Sequence, residues 1–203
     1  MNLSCDLVLP CRDEAAALPA LLARVPRGLG VIVVDNGSVD GTAAVAARHG
    51  ARVVHEPRAG YGAAVHAGVE ASSAEHVAVL DGDGSLDPKD VLPLLGPVIS
   101  GEADLAVGRR RPQRRGVWPW HARAGNALVL WWLRRRTGLH VHDVAPVRVG
   151  RREALLGLDV RDRRLATRWS CWCGRTGPDG GSSSTTWATC HARPGPGPRS
   201  PGR

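Results

Sequence analysis

The sequence contains no phenylalanine, one tyrosine and one methionine, and Lys89 is its only lysine. The basic residues are therefore almost all arginine, a bias that is typical of a GC-rich coding sequence. Hydrophobic residues still make up 43% of the 203 residues and charged residues 23%, as in an ordinary globular domain. The chain is long enough and apolar enough to form one domain with a core of its own.

Two kinds of segment are also missing. No run approaches the ~20 apolar residues of a membrane-spanning helix, and the first residues lack the basic start and apolar stretch of a secretory signal. The 5 cysteines are an odd number, which without a signal favours reduced thiols in the cytosol. We therefore expect a cytoplasmic protein.

The net charge of +8 indicates an anionic partner, whether nucleic acid, anionic lipid or a phosphorylated substrate.

Short apolar runs alternate with helical patterns along the first half of the chain. The predicted strands are residues 6–10, 30–35, 51–55, 77–80 and 103–107. The second of them, GVIVVD, is apolar until its last residue, as in a parallel strand covered on both faces. With right-handed crossovers, this order predicts an α/β fold with a mostly parallel sheet and helices on both faces.

The stretch over residues 77–88, VAVLDGDGSLDP, is the feature around which the chain is organised. Its buried strand leads into a loop that carries Asp81 and Asp83, separated by one glycine. Ligands bind at the carboxyl edge of open α/β sheets, and a carboxylate pair there can hold Mg²⁺ or Mn²⁺ and, through it, a diphosphate. A solvated turn is the alternative, because aspartate and glycine are turn-forming residues.

Further acidic residues follow the first two strands. Asp35 ends the second strand, where its carboxylate can bind a ribose hydroxyl or a base edge, unless it serves only the turn. Asp13 and Glu14 are predicted at a helix start, where the helix dipole favours negative charge, or they close over a nucleotide. The glycine turn at residues 60–62 can bring N–H groups near a phosphate, although the last glycine of the dinucleotide fingerprint is missing.

Four stretches resemble, in order and spacing, those of family-two glycosyltransferases: LPCRDEAAALPALL, VIVVDNGSVDGTAAVA, EPRAGYGAAVHAG and VAVLDGDGSLDP. Within that family the chain is most similar to the dolichyl- or polyprenyl-phosphate mannose or glucose synthases. The resemblance covers residues 6–164 and implies a nucleotide-diphospho-sugar transferase fold of the A type. It also implies inverting transfer of a hexose from a nucleotide-diphosphate sugar, with Mg²⁺ or Mn²⁺, to a polyprenyl phosphate or related lipid-phosphate acceptor of cell-envelope glycan synthesis.

The resemblance also assigns site residues. It implies that Asp81 and Asp83 bind the metal, and that Asp83 and Arg110 take part in catalysis, with Arg110 against a donor or acceptor phosphate. The residues that it assigns to substrate binding are Pro10, Arg12, Glu14, Asp35, Asp81, Asp143 and Arg148. The chain departs from the family at Asp13, which replaces an asparagine, and at residues 145–146, where Ala-Pro replaces Ser-Gly in the acceptor-side loop.

Tryptophan and arginine are concentrated between residues 109 and 136. Together they can stack on nucleic acid or lie at a membrane surface, and for residues 122–136 a helix in the core is a third possibility. A nucleic-acid module would leave Asp35, Asp81 and Asp83 without a role, so we expect no nucleic-acid partner. A lipid-phosphate acceptor favours peripheral contact with the inner face of a membrane.

The composition changes after Leu165. The remaining residues contain no valine, isoleucine or leucine, so they are predicted to be disordered because they cannot bury enough apolar area to offset the entropy of ordering. We therefore expect a glycosyltransferase domain over residues 1–165 and a disordered tail over residues 166–203. The cysteines of the tail do not have the spacing of a zinc site.

The tail has a second explanation, a shifted reading frame. Codons for residues 167–174, TRWSCWCG, read one base earlier, give Tyr-Pro-Leu-Glu-Leu-Leu-Val-Arg, an ordinary amphipathic helix start that resembles what the family carries here. This pattern predicts a frameshift near Arg164 or Leu165, and with it the loss of the domain's last helix and strand. The alternative function is then that of a truncated, catalytically impaired relative that at most binds nucleotide.

Overall fold

The computed structural model describes residues 4–110, 147–157 and 185–190, with only the backbone of residues 109–110 and 185–190. The strands within these ranges are β1 (Cys5–Cys11), β2 (Leu29–Asp35), β3 (Arg52–His55), β4 (His76–Leu80), β5 (Leu105–Arg110), β6 (Val147–Arg151) and β7 (Thr185–Cys190). They form one sheet in the order β3-β2-β1-β4-β6-β5-β7. No helix in the described ranges combines the length and the apolar character that crossing a bilayer requires.

Helices cover both faces of this sheet, as predicted. They are α1 (Leu18–Leu22), α2 (Thr42–Arg48), α3 (Tyr61–Ala71), α4 (Leu92–Ile99) and α5 (Arg152–Gly157). Side chains of α1, α2 and α4 pack into one cluster of buried residues, and those of α3 and α5 pack into another. Because successive strand residues point to opposite faces, the central strands contribute to both clusters. In β4 this makes all five residues buried, as expected of a strand covered on both sides.

The parallel core of the sheet and a strand at residues 103–107 were predicted, but β6 and its antiparallel pairing were not. β1 to β4 pair in parallel, whereas β6 pairs antiparallel with both β4 and β5. β5 therefore runs in the same direction as β1 to β4, and the sheet stays mostly parallel in strand direction. Arg148, which the resemblance assigns to substrate binding, lies in the strand β6. The pattern VRVGR, with both valines buried, is that of a strand.

The predicted disorder of the tail does not hold for β7. Thr185–Cys190 pairs antiparallel with β5 and covers the edge of that strand. The prediction weighed apolar burial alone, but an edge strand is held first by backbone hydrogen bonds, and threonine and tryptophan both favour extended strands. The rest of the tail lies outside the described residues, and both the domain boundary at residue 165 and the frameshift stay predictions.

Close packing of α3 against the sheet fixes one wall of the edge at which β1, β2 and β4 end. A Cβ atom at Gly68 would overlap Val8 Cγ1 and lie 3.0 Å from Val34 Cγ2. Glycine at this position therefore allows the helix to approach β1 and β2 more closely than any larger residue would. Because α3 begins at Tyr61, the same packing holds Tyr61 at the carboxyl edge of the sheet.

Candidate active site

A cavity of about 370 Å³ lies where the carboxyl ends of β1, β2 and β4 meet, a volume within the ~300–1,000 Å³ of small-molecule sites. The charged residues that line it are Arg12, Glu14, Asp81 and Asp83, and the other lining residues are Pro10, Cys11, Asn36, Gly60, Tyr61, Ala64 and Gly82. Five residues predicted from the sequence are thus brought together, namely Pro10, Arg12, Glu14, Asp81 and Asp83. Their convergence follows from the parallel pairing, which puts successive strand ends at one edge.

The loop after β4 presents two carboxylates with different surroundings. Asp81 is half-buried, and its Oδ1 atom accepts a hydrogen bond of 2.9 Å from the Tyr61 hydroxyl. Asp83 is exposed, and its Oδ1 atom accepts a hydrogen bond of 2.9 Å from the Ser85 N–H. Both carboxylates therefore have a partner that restrains them within the loop while the loop faces the cavity.

The loop after β1 is held by the loop after β2. The Glu14 N–H donates to Thr42 Oγ1 at 2.9 Å, and the Ala15 N–H donates to Asp40 Oδ2 at 2.9 Å. Asp40 also accepts hydrogen bonds from the N–H and the hydroxyl of Thr42. Glu14 was predicted at the start of the first helix, but α1 begins only at Leu18 and has no acidic residue in its first turn. Glu14 thus lies in the loop itself, where it lines the cavity.

The charge of the cavity is unbalanced in the described part of the chain. Three lining carboxylates face the single guanidinium of Arg12, an excess of two negative charges when all are ionised. Burial raises the pKa of Glu14 above its ordinary value of 4.5, and repulsion by Asp83, Asp40 and Asp13 adds to the rise. No group of three or more His, Cys, Asp or Glu side chains that could hold a metal occurs among the described residues. A cation here would therefore also need oxygen atoms from a ligand.

The sequence predicted Asp35 at the ligand edge, but its neighbour Asn36 lines the cavity there. Asp35 is 8% exposed and does not line the cavity. Its Oδ1 atom accepts the Ser38 N–H at 3.0 Å, and its Oδ2 atom lies 3.2 Å from His55 Nδ1. Asn36 lines the cavity instead. The sequence contained a signal for this, because successive residues at a strand end face opposite ways, so that only one of these two neighbours can face the cavity.

Of the remaining predicted residues, the structure describes the side chain of Arg148 alone. Arg148 is 4% exposed in β6, opposite Val79 of β4, and does not line the cavity. Arg110 is the last residue of β5, and its side chain is not described. Asp143 lies outside the described residues. Sequence reasoning assigned no site role to Tyr61, although it noted the glycine turn at residues 60–62, from which α3 begins.

Cys11 packs beneath the loop that carries the two carboxylates. It is 2% exposed, and its Sγ atom lies where a Cβ atom at Gly82 would be. Burial raises the pKa of the Cys11 thiol to about 12, with smaller contributions from Glu14, Asp35, Asp40 and Asp83. Cys11 is therefore a neutral packing residue at this site and not a nucleophile.

Known proteins resemble this chain over most of its described part. The family model described as Glycosyl transferase family 2 matches residues 6–155. An uncharacterized glycosyltransferase of Mycobacterium tuberculosis is 57% identical over 158 residues, which cover 78% of this chain and 72% of that protein. Polyprenol monophosphomannose synthase of Mycolicibacterium smegmatis is 34% identical over 170 residues, which cover 76% of this chain and 64% of the synthase.

Solved structures show the same fold. Glucosyl-3-phosphoglycerate synthase of Mycobacterium tuberculosis, in complex with Mn²⁺, UDP-glucose and phosphoglyceric acid, superimposes with a TM-score of 0.58 at 26% identity. The match covers 74% of this chain but 57% of the synthase, so the chain spans little more than half the length of that relative. Together with the match of the family model to residues 6–155, these likenesses show that the chain belongs to glycosyl transferase family 2 and has its A-type fold.

Proposed function

We propose that this chain transfers a hexose from a nucleotide-diphosphate sugar to a polyprenyl phosphate, with inversion at the anomeric carbon. The observation that carries the proposal is the excess of two negative charges among the described residues that line the cavity at the carboxyl edge of the sheet. A diphosphate cannot enter such a cavity alone, because its own charge would add to the repulsion. A divalent cation that enters with it would neutralise the described side chains.

Mg²⁺ or Mn²⁺ fits the donor atoms present. Asp81 and Asp83 would hold the ion, since both metals prefer carboxylate oxygens and commonly take the rest of their ligands from substrate phosphates and water. The raised pKa of Glu14, caused partly by Asp83, supports this assignment because a cation would relieve the repulsion between them. When bound, the metal supplies charge neutralisation for the departing diphosphate. The Mn²⁺ complex of glucosyl-3-phosphoglycerate synthase is consistent with this.

Residues of the chain itself orient the donor. Arg12 is exposed and is the one cation among the described lining residues, so its guanidinium is suited to a phosphate oxygen pair. Pro10 and Asn36 line the same cavity and would contact the nucleoside, and Asp35, next to Asn36 in the chain, stays a proposed substrate-binding residue. Arg110, which ends β5, remains our candidate for a further phosphate contact.

A phosphate acceptor agrees with the chemistry that these residues offer. A phosphate oxygen is already anionic, so it can attack the anomeric carbon while the bond from that carbon to the diphosphate breaks, without a general base. The likeness to polyprenol monophosphomannose synthase, 34% over 170 residues, supports a lipid phosphate in this role. Asp143 and Arg148 stay proposed acceptor-side residues. Such an acceptor would place the reaction at a membrane surface, at its inner face if the protein is cytoplasmic.

Thermal unfolding with a panel of nucleotide sugars, with and without Mn²⁺, tests donor and metal together. We expect one donor to raise the melting temperature only when Mn²⁺ is present. Asp81→Ala and Asp83→Ala should each lose that rise while keeping the fold, because both carboxylates lie in a loop at the cavity. Glu75→Ala is the matched control, since Glu75 is a surface carboxylate just before β4, at its other end. An Mn²⁺-dependent rise that persists in either loop variant would refute the metal assignment.

A transfer assay then tests the acceptor. Labelled sugar from the stabilising donor should become extractable into organic solvent when vesicles containing polyprenyl phosphate are added. Transfer to 3-phosphoglycerate instead would replace the lipid by a soluble phosphorylated acceptor. Donor binding without transfer to either acceptor would favour the impaired relative that binds nucleotide only.

A further inference from the structure

Tyr61, the only tyrosine of the chain, connects α3 to the carboxylate loop. Its hydroxyl donates a hydrogen bond of 2.9 Å to Asp81 Oδ1 across the carboxyl edge of the sheet. Both residues line the cavity. The hydrogen bond therefore joins the first residue of α3 to the first residue after β4, so it ties the start of the helix to the far end of the strand that follows it.

The position of Tyr61 is itself fixed from β2. The Asn36 amide nitrogen donates to the carbonyls of Glu56 and Arg58, both at 2.8 Å, and its Oδ1 atom accepts the Gly60 N–H at 2.9 Å. These three hydrogen bonds hold the segment between β3 and α3, which delivers Tyr61 to the edge. Gly60 has φ of 132°, a conformation that favours glycine, so the entry into α3 depends on this residue.

The phenol acts only as a donor to Asp81. Burial raises the pKa of Tyr61 well above its ordinary value of 10.0, and Asp81 adds to the rise, while the positive charge of Arg148 opposes it. A protonated phenol has one O–H to donate, and an ionised carboxylate only accepts. The hydrogen bond thus selects one orientation of the Asp81 carboxylate and still leaves acceptor capacity on its oxygens for a cation.

We propose that Tyr61 is a positioning residue that holds the Asp81 carboxylate in the orientation that receives a divalent cation and a diphosphate, an inference that rests on the proposed function. Tyr61 acts through Asp81 in this role. Its removal should therefore weaken the binding steps that use the cation and leave nucleotide binding without a cation unchanged.

Tyr61→Phe in the full chain is the test, because it removes the hydroxyl and keeps the ring, which packs against the cluster of buried residues that includes the side chains of α3. The probes are UDP and GDP with Mn²⁺, and UMP and GMP without metal. We expect the apparent Mn²⁺ affinity in the presence of the diphosphate to fall about two- to tenfold, the equivalent of one hydrogen bond. Monophosphate binding should equal that of the wild type. A purely structural role for Tyr61 would weaken both kinds of binding together.

The outcomes separate this inference from the proposed function. If the wild type shows no Mn²⁺-dependent binding of either diphosphate, the proposed function fails and the inference fails with it. If the wild type binds but Tyr61→Phe binds Mn²⁺ equally well, or loses monophosphate binding to the same extent, only the inference is overturned.

A second measurement does not depend on the folding of the Phe variant. Ultraviolet resonance Raman bands report whether a tyrosine hydroxyl donates a hydrogen bond, and the single tyrosine makes the signal specific to Tyr61. We expect a donor signature in the wild type that changes in Asp81→Ala. An identical signature in the two proteins would show that Tyr61 does not donate to Asp81 and would overturn the inference.

Discussion

Gly82 lies between the two carboxylates proposed to hold the metal, and its substitution by alanine tests how that loop is held in place. A Cβ atom at Gly82 would overlap Cys11 Sγ and lie 3.2 Å from the Pro10 carbonyl oxygen. The φ angle of Gly82 is not in the left-handed region, so alanine is compatible with the backbone. The cost of Gly82→Ala therefore comes from the contact with Cys11 and not from backbone strain.

The contact indicates the size of the effect. Cys11 is 2% exposed and its Sγ atom lies 3.5 Å from the Leu9 carbonyl, so the sulfur has little room to move. Overpacking of this kind costs about 1–3 kcal/mol of unfolding free energy. Cys11→Ala alone should cost about 1 kcal/mol for one lost buried atom. In the double variant the new methyl group occupies the space of the sulfur. The loss of unfolding free energy should therefore be about 1–2 kcal/mol smaller than the sum of the losses in the two single variants.

Urea unfolding followed by tryptophan fluorescence measures the unfolding free energy of the wild type, of the two single variants and of the double variant. Gly96→Ala is the matched control, because a Cβ atom there meets nothing within 4 Å inside α4. It should stabilise the protein by about 0.5–1 kcal/mol through helix propensity. We also expect Gly82→Ala to weaken Mn²⁺-dependent donor binding and Cys11→Ala to restore part of it. Additive costs in the double variant would refute the idea that Cys11 sets the position of the loop.

Two further predictions concern pH and the tail. Mn²⁺-dependent diphosphate binding should weaken as pH falls from neutral through the raised pKa of Glu14, because protons then compete with the cation. In binding titrations across that pH range, Glu14→Gln should flatten this dependence. A wild-type profile that Glu14→Gln does not alter would contradict it. Amides of Thr185–Cys190 that face β5 should exchange slowly in hydrogen-exchange mass spectrometry, and complete exchange at the earliest times would show that β7 does not pair in solution.

The parallel half of the fold and three of the cavity residues could be predicted because they depend on local patterns. An apolar β-branched run predicts a buried parallel strand, and its carboxyl end must lie at the ligand edge. This reasoning pointed to Glu14, Asp81 and Asp83, the family resemblance added Pro10 and Arg12, and the structure brings all five to one cavity. Reasoning from strand ends needs no knowledge of distant contacts, since parallel pairing alone brings these loops together.

The features that were missed depend on contacts between distant parts of the chain. The insertion of β6 between β4 and β5 is decided by strand pairing across the sheet, which no local pattern specifies. The presence of Asn36 rather than Asp35 at the cavity depends on which of two neighbouring side chains turns toward it. The contact of Tyr61 with Asp81 joins residues that are 20 apart in sequence. In each case local chemistry was read correctly and the tertiary partner was unknown.

The acids of these loops are separated by their surroundings into those that hold the fold and those that remain for a ligand. Hydrogen bonds from the Thr42 hydroxyl and the Ala15 N–H lower the pKa of Asp40, so protein donors already stabilise its charge. Glu14, one residue before Ala15, has a raised pKa because burial and neighbouring acids oppose its ionisation. The loop is thus held by Asp40, whose charge is stabilised by hydrogen bonds, and it presents to the cavity Glu14, whose ionisation is disfavoured. A cation that enters the cavity relieves the repulsion between these carboxylates, and this relief favours its binding. The loops need not rearrange for this to happen.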